Sequence, residues 1–364
     1  MKEKTYAAFA TERSDRLNNR YPQTGLFELT YRCNLNCIHC YCEGSEELEK
    51  ELTTEEIKDI LGQLHEEGCL EVTFTGGEPL IREDFWEIYL YARRKGFIID
   101  IFTNGLLLTE EKIDFFQKFP PRSIEITLNG ITKDTYEAIT QIKGSFDKVM
   151  SNINRLIKRN MPLVIKANCL KQNKNEISKI KAFTQEIFGK DKKRFRFDCY
   201  ISPRLNKDKT PCKYCLSPWE LKKILQSDSE IYREYKQRLK LEHSLLRDKS
   251  FLYQCSAWLV HFFINPYGRL KFCQFSEDFS TDLRKFSFKE GFYNVFPRLM
   301  KEKFKTDSKC RDCELRPFCS NCPAKAYLET GDQEATVSYF CELAKARVEE
   351  RRELVQSRQS AVDS

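Results

Sequence analysis

The sequence predicts an α/β protein, six consecutive β/α units followed by a smaller cysteine-rich region. Three observations carry this reading. Between Leu26 and Tyr200, short β-branched or aromatic runs alternate with longer segments of helical period. The longer segments carry explicit start and stop signals. The sixteen cysteines are concentrated in one loop behind the first strand and in the stretch from Cys255 to Cys341, which holds seven of them.

The predicted strands are Phe27 to Tyr31, Leu70 to Thr75, Phe97 to Thr103, Ser123 to Asn129, Leu163 to Asn168 and Arg194 to Tyr200. The first helix opens at Thr53, with Glu56 three residues on completing a capping box. Ile57, Ile60, Leu61 and Leu64 then share one face, and Gly68 supplies a left-handed stop. A second runs from Asp84 to Lys95 and stops at Gly96. Another, from Ser145 to Arg159, stacks Val149, Ile153, Leu156 and Ile157, and in the next Ile177, Ile180, Phe183 and Ile187 precede Gly189. Each helix returns the chain to a further strand, so the strands are expected to be parallel. The pattern leaves an open doubly wound sheet and an incomplete (β/α) barrel as alternatives, and in both, ligands collect at the carboxyl ends of the strands.

The expected boundaries are a lead over 1–25, the β/α region over 26–200 and a Pro- and Lys-rich bridge over 201–250, with a helix begun by Ser217, Pro218 and Glu220. A metal-organised region over 251–345 and a charged tail over 346–364 follow.

A chain of 364 residues can bury two cores without disulfide staples. No run approaches the roughly 20 apolar residues of a membrane span, and Met1 to Asp15 is charged throughout, unlike an export signal. A cytoplasmic protein with reduced thiols used as metal ligands is therefore expected. The net charge of +7 arises from 61 basic and 54 acidic residues spread along the chain, a mild preference for acidic partners. Basic residues among the aromatics of Phe272 to Phe304 read as a solvated surface, and no nucleic acid or membrane partner is expected.

Directly after the first strand comes Cys33-x3-Cys37-x2-Cys40. Three thiolates from one loop can hold three corners of a cubane iron-sulfur cluster and leave the fourth iron open. Zinc, with Cys42 or His39 as fourth ligand, is the competing reading. Gly76-Gly77-Glu78-Pro79 follows the second strand, where two missing side chains allow close backbone approach.

The cysteine triplet and the Gly-Gly-Glu-Pro run together resemble the radical S-adenosylmethionine (SAM) enzymes. The resemblance implies a partial (β/α)6 TIM-type barrel. It implies that SAM chelates the open iron through its amino and carboxylate groups, and that one electron releases a 5′-deoxyadenosyl radical which abstracts a substrate hydrogen. It further implies cofactor-binding roles for His39, Gly76, Gly77, Glu78, Thr103, Asn104, Thr127 and Asn129. Asn129 stands where relatives carry Asp, and no Arg occurs in Tyr136 to Thr140, where many relatives place one. Lys166 or Asn168 is therefore the expected partner of the SAM carboxylate; the alternative is that these polar residues only cap loops.

The later cysteines, Cys255, Cys273 after Gly268, Cys310-x2-Cys313-x5-Cys319-x2-Cys322 and Cys341, resemble the SPASM extension of the same enzymes, with one residue fewer than usual before Cys322. The resemblance implies one auxiliary [4Fe-4S] cluster on Cys310, Cys313, Cys319 and Cys341, and three corners of another on Cys255, Cys273 and Cys322. That makes three [4Fe-4S] clusters in all. Structural zinc is the alternative. Cys212 and Cys215 are unassigned, and Cys69, Cys169 and Cys199 read as small buried hydrophobes.

In that family the extension accompanies peptide-modifying enzymes, so a ribosomally made peptide is the first expected substrate, for crosslinking, oxidation or epimerisation. About 25 residues precede the barrel, too few for a leader-binding domain, so a separate leader-recognition protein or direct docking is expected, with a flavodoxin or ferredoxin-type reductant. The alternatives are a small-molecule dehydrogenase or epimerase acting on an amino sugar, polyol or tetrapyrrole, and a cluster-bearing electron-transfer or binding protein. Cys199 is a candidate hydrogen donor and Asp198 a candidate base.

Overall fold

The computed structural model describes residues 20–42, 48–189, 191–228, 232–233, 248–276 and 279–362. The lead over 1–19 and the parts of the bridge over 229–231 and 234–247 lie outside the described residues.

Six parallel strands, β1 (Thr24–Glu28), β2 (Glu71–Thr75), β3 (Ile98–Thr103), β4 (Ser123–Thr127), β5 (Leu163–Asn168) and β6 (Phe195–Asp198), lie side by side in chain order. The order never reverses, so every crossover winds the same way. A doubly wound sheet would reverse at a switch point, and the ambiguity left by sequence resolves to an incomplete barrel. The helices between the strands are α1 (Thr54–Glu66), α2 (Phe85–Arg94), α3 (Glu110–Lys118), α4 (Lys133–Thr140), α5 (Ser145–Lys158) and α6 (Ile177–Phe188). The helices pack on the outer face, where Phe27, Phe74, Ile101, Ile124, Ile126 and Ile165 meet Ile57, Leu61, Ile88, Phe116, Val149 and Ile153 in one continuous core. Each such side chain contributes roughly 1.5–3 kcal/mol through burial.

The capping box at α1 forms as expected: Glu56 N–H donates to Thr53 Oγ1 (3.3 Å), and Thr53 N–H donates to Glu56 Oε2 (2.8 Å). Two differences from expectation concern β1. It spans Thr24–Glu28, three residues earlier than the apolar run Phe27 to Tyr31 suggests, because its register is set on both sides, Thr24 opposite Glu71 of β2 and opposite His261 of β7 (His261–Ile264). The cysteine-rich region also continues the barrel sheet: β7 pairs in parallel with β1, followed by antiparallel β8 (Arg269–Lys271) and β9 (Thr281–Asp282). β6 and β9 are left as the two edges of the nine-stranded sheet.

The C-terminal region adds α7 (Pro218–Ser227), α8 (Pro323–Thr330) and α9 (Ser338–Val362). A small second core joins Leu221 and Leu225 of α7 to Ala326 of α8 and to Phe340 and Leu343 of α9. Among the described residues, no helix is long and apolar enough to cross a membrane.

Candidate active site

Inside the barrel the strands present polar side chains in layers. At the amino-terminal end Arg122 pairs with Asp100 and with Glu71 (2.7 Å). Above it the buried Glu125 meets Arg196 (3.1 Å) and Lys166 (3.6 Å), and Lys166 Nζ also lies 3.5 Å from the centre of the Phe102 ring. The carboxyl ends of the strands then open into a cavity of about 520 Å³. Its wall carries Cys33, Cys37 and Cys40, with His39 between them. Gly76 and Gly77 follow β2, Thr103 and Asn104 end β3, Thr127 and Asn129 end β4, Lys166 and Asn168 end β5, and Asp198 ends β6.

The cysteine loop is fixed from two sides. Backbone N–H groups of Asn36 and Ile38 donate to the carbonyls of Thr140 and Ile139 at the end of α4 (3.1 and 3.0 Å). On the other side Gly77 N–H donates to Thr30 O (2.8 Å) and Glu78 N–H to Arg32 O (2.9 Å). This docking explains the glycine pair. A Cβ on Gly76 would lie 2.2 Å from Thr30 O, and one on Gly77 2.4 Å from Arg32 O; Gly76 also has φ of +140°. The missing side chains thus make room for the backbone of the cysteine loop itself.

Burial, together with the other thiols, raises Cys37 well above the ordinary thiol value, and burial pushes Cys33 up to about 11. Cys40 is held lower, at about 7, by a hydrogen bond from Cys42. Cys37 feels Cys40 and Cys33, and Cys33 feels Cys40, so the three thiols share one electrostatic neighbourhood. Among the described residues no group of three or more His, Cys, Asp or Glu side chains is drawn together closely enough to hold a metal ion as it stands. Asn104 Nδ2 and the N–H of Leu35 point toward Cys33 Sγ (3.7 and 3.5 Å).

Glu78 is not on the cavity wall. Its carboxylate is buried and accepts from Thr103 Oγ1 (2.8 Å), Asn104 N–H (2.7 Å) and Leu80 N–H (3.1 Å), and burial pushes it up to about 7. Glu78 therefore ties the end of β2 to the end of β3. His39 is held by two carboxamides, Asn129 Nδ2 at 3.3 Å and Asn168 Nδ2 at 3.1 Å from its Nε2. An amide NH2 only donates, so Nε2 accepts and the proton resides on Nδ1, which has no partner among the described residues. Burial lowers His39 to about 4, consistent with a neutral ring. Asn129 also accepts Asn168 N–H through Oδ1 (2.8 Å), and Asn173 clamps both backbone carbonyls. An Asp at 129 could not donate to a neutral Nε2 acceptor, so the asparagine that departs from the family pattern has a local physical role.

Cys199 is absent from this wall. Its Sγ lies 3.3 Å from Cys169 Sγ, and it faces a second cavity along the β6 edge. Asp198 borders both cavities, and its Oδ1 accepts Tyr200 N–H (3.0 Å). Among the wall residues that sequence reasoning missed are Arg196, Tyr200, Phe275 and Lys325. Arg196 was accessible to it, since the alternation in Phe195-Arg-Phe-Asp198 places Arg196 and Asp198 on one face. Phe275 and Lys325 arrive from the distant C-terminal region and leave no local signal.

The seven later cysteines fall into two groups. Cys310, Cys313, Cys319 and Cys341 surround a compact cavity of about 70 Å³ that Cys322 also borders. After burial, the largest influence on Cys341 comes from Cys310 and Cys313, and Cys319 feels Cys341 and Cys310. Cys273, pushed up to about 11 by burial, faces Cys322 and Cys255. Cys212 and Cys215 lie apart, with Cys215 Sγ 3.5 Å from Ile201 O and Cys212 Sγ 4.0 Å from Glu329 Oε1.

Residues 27–183 match the Radical SAM superfamily. The chain carries a radical SAM domain. The chain is 27% identical over 335 residues to the AdoMet-dependent heme synthase of Methanosarcina barkeri, covering 85% of its own length and 94% of that protein. It is 34% identical to the mycofactocin maturase MftC of Mycolicibacterium smegmatis, but over 130 residues, 36% of this chain and 33% of the maturase. Among solved structures, Streptococcus suis SuiB bound to S-adenosylmethionine superposes with a TM-score of 0.66 at 16% identity, covering 94% of this chain and 82% of SuiB. SuiB has also been solved with its precursor peptide SuiA. At that identity the match speaks to fold, and its 94% coverage takes in most of the cysteine-rich region.

Proposed function

We propose that this enzyme holds a [4Fe-4S] cluster on Cys33, Cys37 and Cys40, binds SAM in the adjoining cavity, and modifies a ribosomally made peptide by crosslinking, oxidation or epimerisation. The single observation that carries the reading is the convergence of the three thiols, the Gly76–Gly77 backbone and the polar ends of β3 to β5 on one cavity at the barrel mouth. When bound, the cluster and SAM supply a one-electron reductive cleavage that yields a 5′-deoxyadenosyl radical able to take hydrogen from an unactivated carbon.

The protein's share is positioning and exclusion of water. Thr103, Asn104, Thr127, Asn129 and His39 offer hydrogen-bonding groups to the cofactor. Lys166, backed by Glu125, and Asn168 stand where a carboxylate would be met. Tyr200, just beyond β6, and Phe275 and Lys325, from the C-terminal region, close the cavity. Cys310, Cys313, Cys319 and Cys341 would ligate one auxiliary [4Fe-4S] cluster, and Cys255, Cys273 and Cys322 three corners of another; the cavity shared by the first four and the influence of Cys322 and Cys255 on Cys273 support this, with Cys322 bordering both groups. Cys199 as hydrogen donor and Asp198 as base remain assigned to the substrate side, since both border the second cavity.

The peptide assignment is supported by the likeness of 130 residues to the mycofactocin maturase, and a leader-recognition protein and a flavodoxin or ferredoxin-type reductant complete it. One observation favours a second reading, a tetrapyrrole substrate: the alignment to the heme synthase runs through 94% of that protein, whereas the maturase aligns over 33% of its length. The test is anaerobic reconstitution followed by dithionite and SAM. Roughly 12 iron per chain and 5′-deoxyadenosine formation are expected for three four-iron clusters. Mass spectrometry of peptides encoded beside the gene, against coproporphyrin III as competitor, then assigns the substrate. Modified peptide supports the first reading, and consumption of the porphyrin alone overturns it in favour of the second.

A further inference from the structure

The second cavity, about 670 Å³, runs along the free edge of β6 between that strand and helices α7 and α9. It shares Arg196, Phe197, Asp198, Tyr200 and Lys325 with the cavity that holds the cysteine triplet, so the two are neighbouring rooms with a common wall. Its charge is unbalanced. Lys181 is matched by Asp228 and Arg196 by Glu125. Lys193, Lys325 and Arg347 have no carboxylate within 4.0 Å among the described residues, whereas Asp191 is taken by Arg194 (3.4 Å) and Asp198 is the one remaining acid on the wall.

Lys325 is held at the junction. Its Nζ sits 4.3 Å from the centre of the Tyr200 ring and 5.2 Å from that of Phe340. Arg347 donates through Nη1 to Phe318 O (2.8 Å) and Ser320 Oγ (2.6 Å), while its buried Nε has no partner among the described residues. Much of the remaining wall is aromatic or aliphatic, with Phe195 and Phe197 stacked at 6.1 Å, Tyr339 beside Phe340, and Leu221, Leu225 and Leu343. Lys325 is held over two aromatic rings and Arg347 by a carbonyl and a hydroxyl, with Cys273 near the first and Cys319 near the second. Neither cation is neutralised by a carboxylate among the described residues, so each keeps capacity to bind an anion.

We propose that this groove is the substrate subsite, and that Lys325 and Arg347 bind carboxylate groups carried on an apolar or aromatic frame beside the reacting carbon. The proposal rests on the radical SAM function above and adds the substrate's charge to it. Two sources of that chemistry are acidic side chains of a peptide and the propionates of a tetrapyrrole.

The experiment uses the reconstituted full chain with SAM. Binding is read by fluorescence anisotropy of the dansylated peptides Gly-Glu-Phe-Glu-Gly and Gly-Gln-Phe-Gln-Gly, and by absorbance titration with coproporphyrin III. The acidic peptide or the porphyrin is expected to bind, the acidic peptide about tenfold tighter than its glutamine counterpart. Lys325→Gln and Arg347→Gln each lose about tenfold, while Lys325→Arg retains binding and shows that the fold is intact. Lys158→Gln, on the outer face of α5, changes nothing. Tight porphyrin binding alone, lost in both variants, supports the subsite and assigns the tetrapyrrole source. Equal binding of the two peptides without porphyrin binding, or binding indifferent to both variants, overturns it. A wild-type protein that forms 5′-deoxyadenosine but binds neither probe overturns the subsite alone; one that binds without cleaving SAM overturns the function and leaves the subsite.

Discussion

Glu78 Oε1 lies 2.8 Å from Thr103 Oγ1, and this contact joins the end of the second strand of the barrel to the end of the third beside the cavity at the barrel mouth. The glutamate of the Gly-Gly-Glu-Pro run is thus a buried clamp, with its charge directed into backbone and hydroxyl donors. Burial raises it from 4.5 to about 7. Between those values the native carboxyl keeps a proton that the unfolded chain releases, so its contribution to stability is present at low pH and is lost as pH rises through 7. Glu78→Gln has no such proton. Thermal unfolding at pH 5 and pH 7.5 should show the variant gaining on wild type by about 2–4 °C. A constant difference would mean that the native carboxylate is ionised throughout.

Gly77→Ala should dislodge the cysteine loop, because the new Cβ would stand 2.4 Å from Arg32 O and 2.6 Å from Tyr31 O, both backbone atoms. The expected outcome is loss of one cluster's iron, about four per chain, with the C-terminal iron retained. Iron analysis and the visible spectrum after reconstitution check this. Full iron content would show that the loop tolerates the shift.

Asn129→Asp exchanges a donor for an acceptor against His39 Nε2. The imidazole must then move its proton or turn, and Asn168 loses its fixed partner. SAM affinity measured by equilibrium dialysis should fall about tenfold, equivalent to one lost hydrogen bond. An unchanged affinity would remove His39 and Asn129 from the cofactor site.

Much of this was legible in the sequence, for reasons that differ by residue. β2 to β6 were found within one or two residues, since parallel strands buried on both faces read as β-branched runs. The polar residues of the cavity wall on β3, β4 and β5 were legible because each lies at, or within two residues of, the carboxyl end of its strand. β1 slipped by three residues because Leu29 and Tyr31 continue its apolar run into the loop, while pairing with β2 and β7 sets the true register. The parallel pairing of β1 with β7 joins Thr24 to His261 across most of the chain, and local pattern contains no trace of it. The same holds for Lys325, which reaches the cavity through tertiary packing alone.

Arg82 is a buried tie between the barrel mouth and α1. Its guanidinium donates to Leu29 O and Leu52 O (both 3.1 Å) and to both oxygens of Asp84 (2.8 and 2.6 Å). Arg82→Met leaves these acceptors unpaired and should cost about 3 kcal/mol, read as a lower urea midpoint with unchanged slope. Arg82→Lys, which keeps the charge but loses the fork, should recover only part of it. A Met variant as stable as wild type would show that water replaces the guanidinium at no cost.

The most direct measurement is reductive SAM cleavage by the reconstituted wild type and by Cys37→Ala, with iron determined on the same samples. The account predicts 5′-deoxyadenosine from wild type, none from the variant, and a loss of about four iron. Zinc in place of iron at Cys33, Cys37 and Cys40, or undiminished cleavage by the variant, would contradict it.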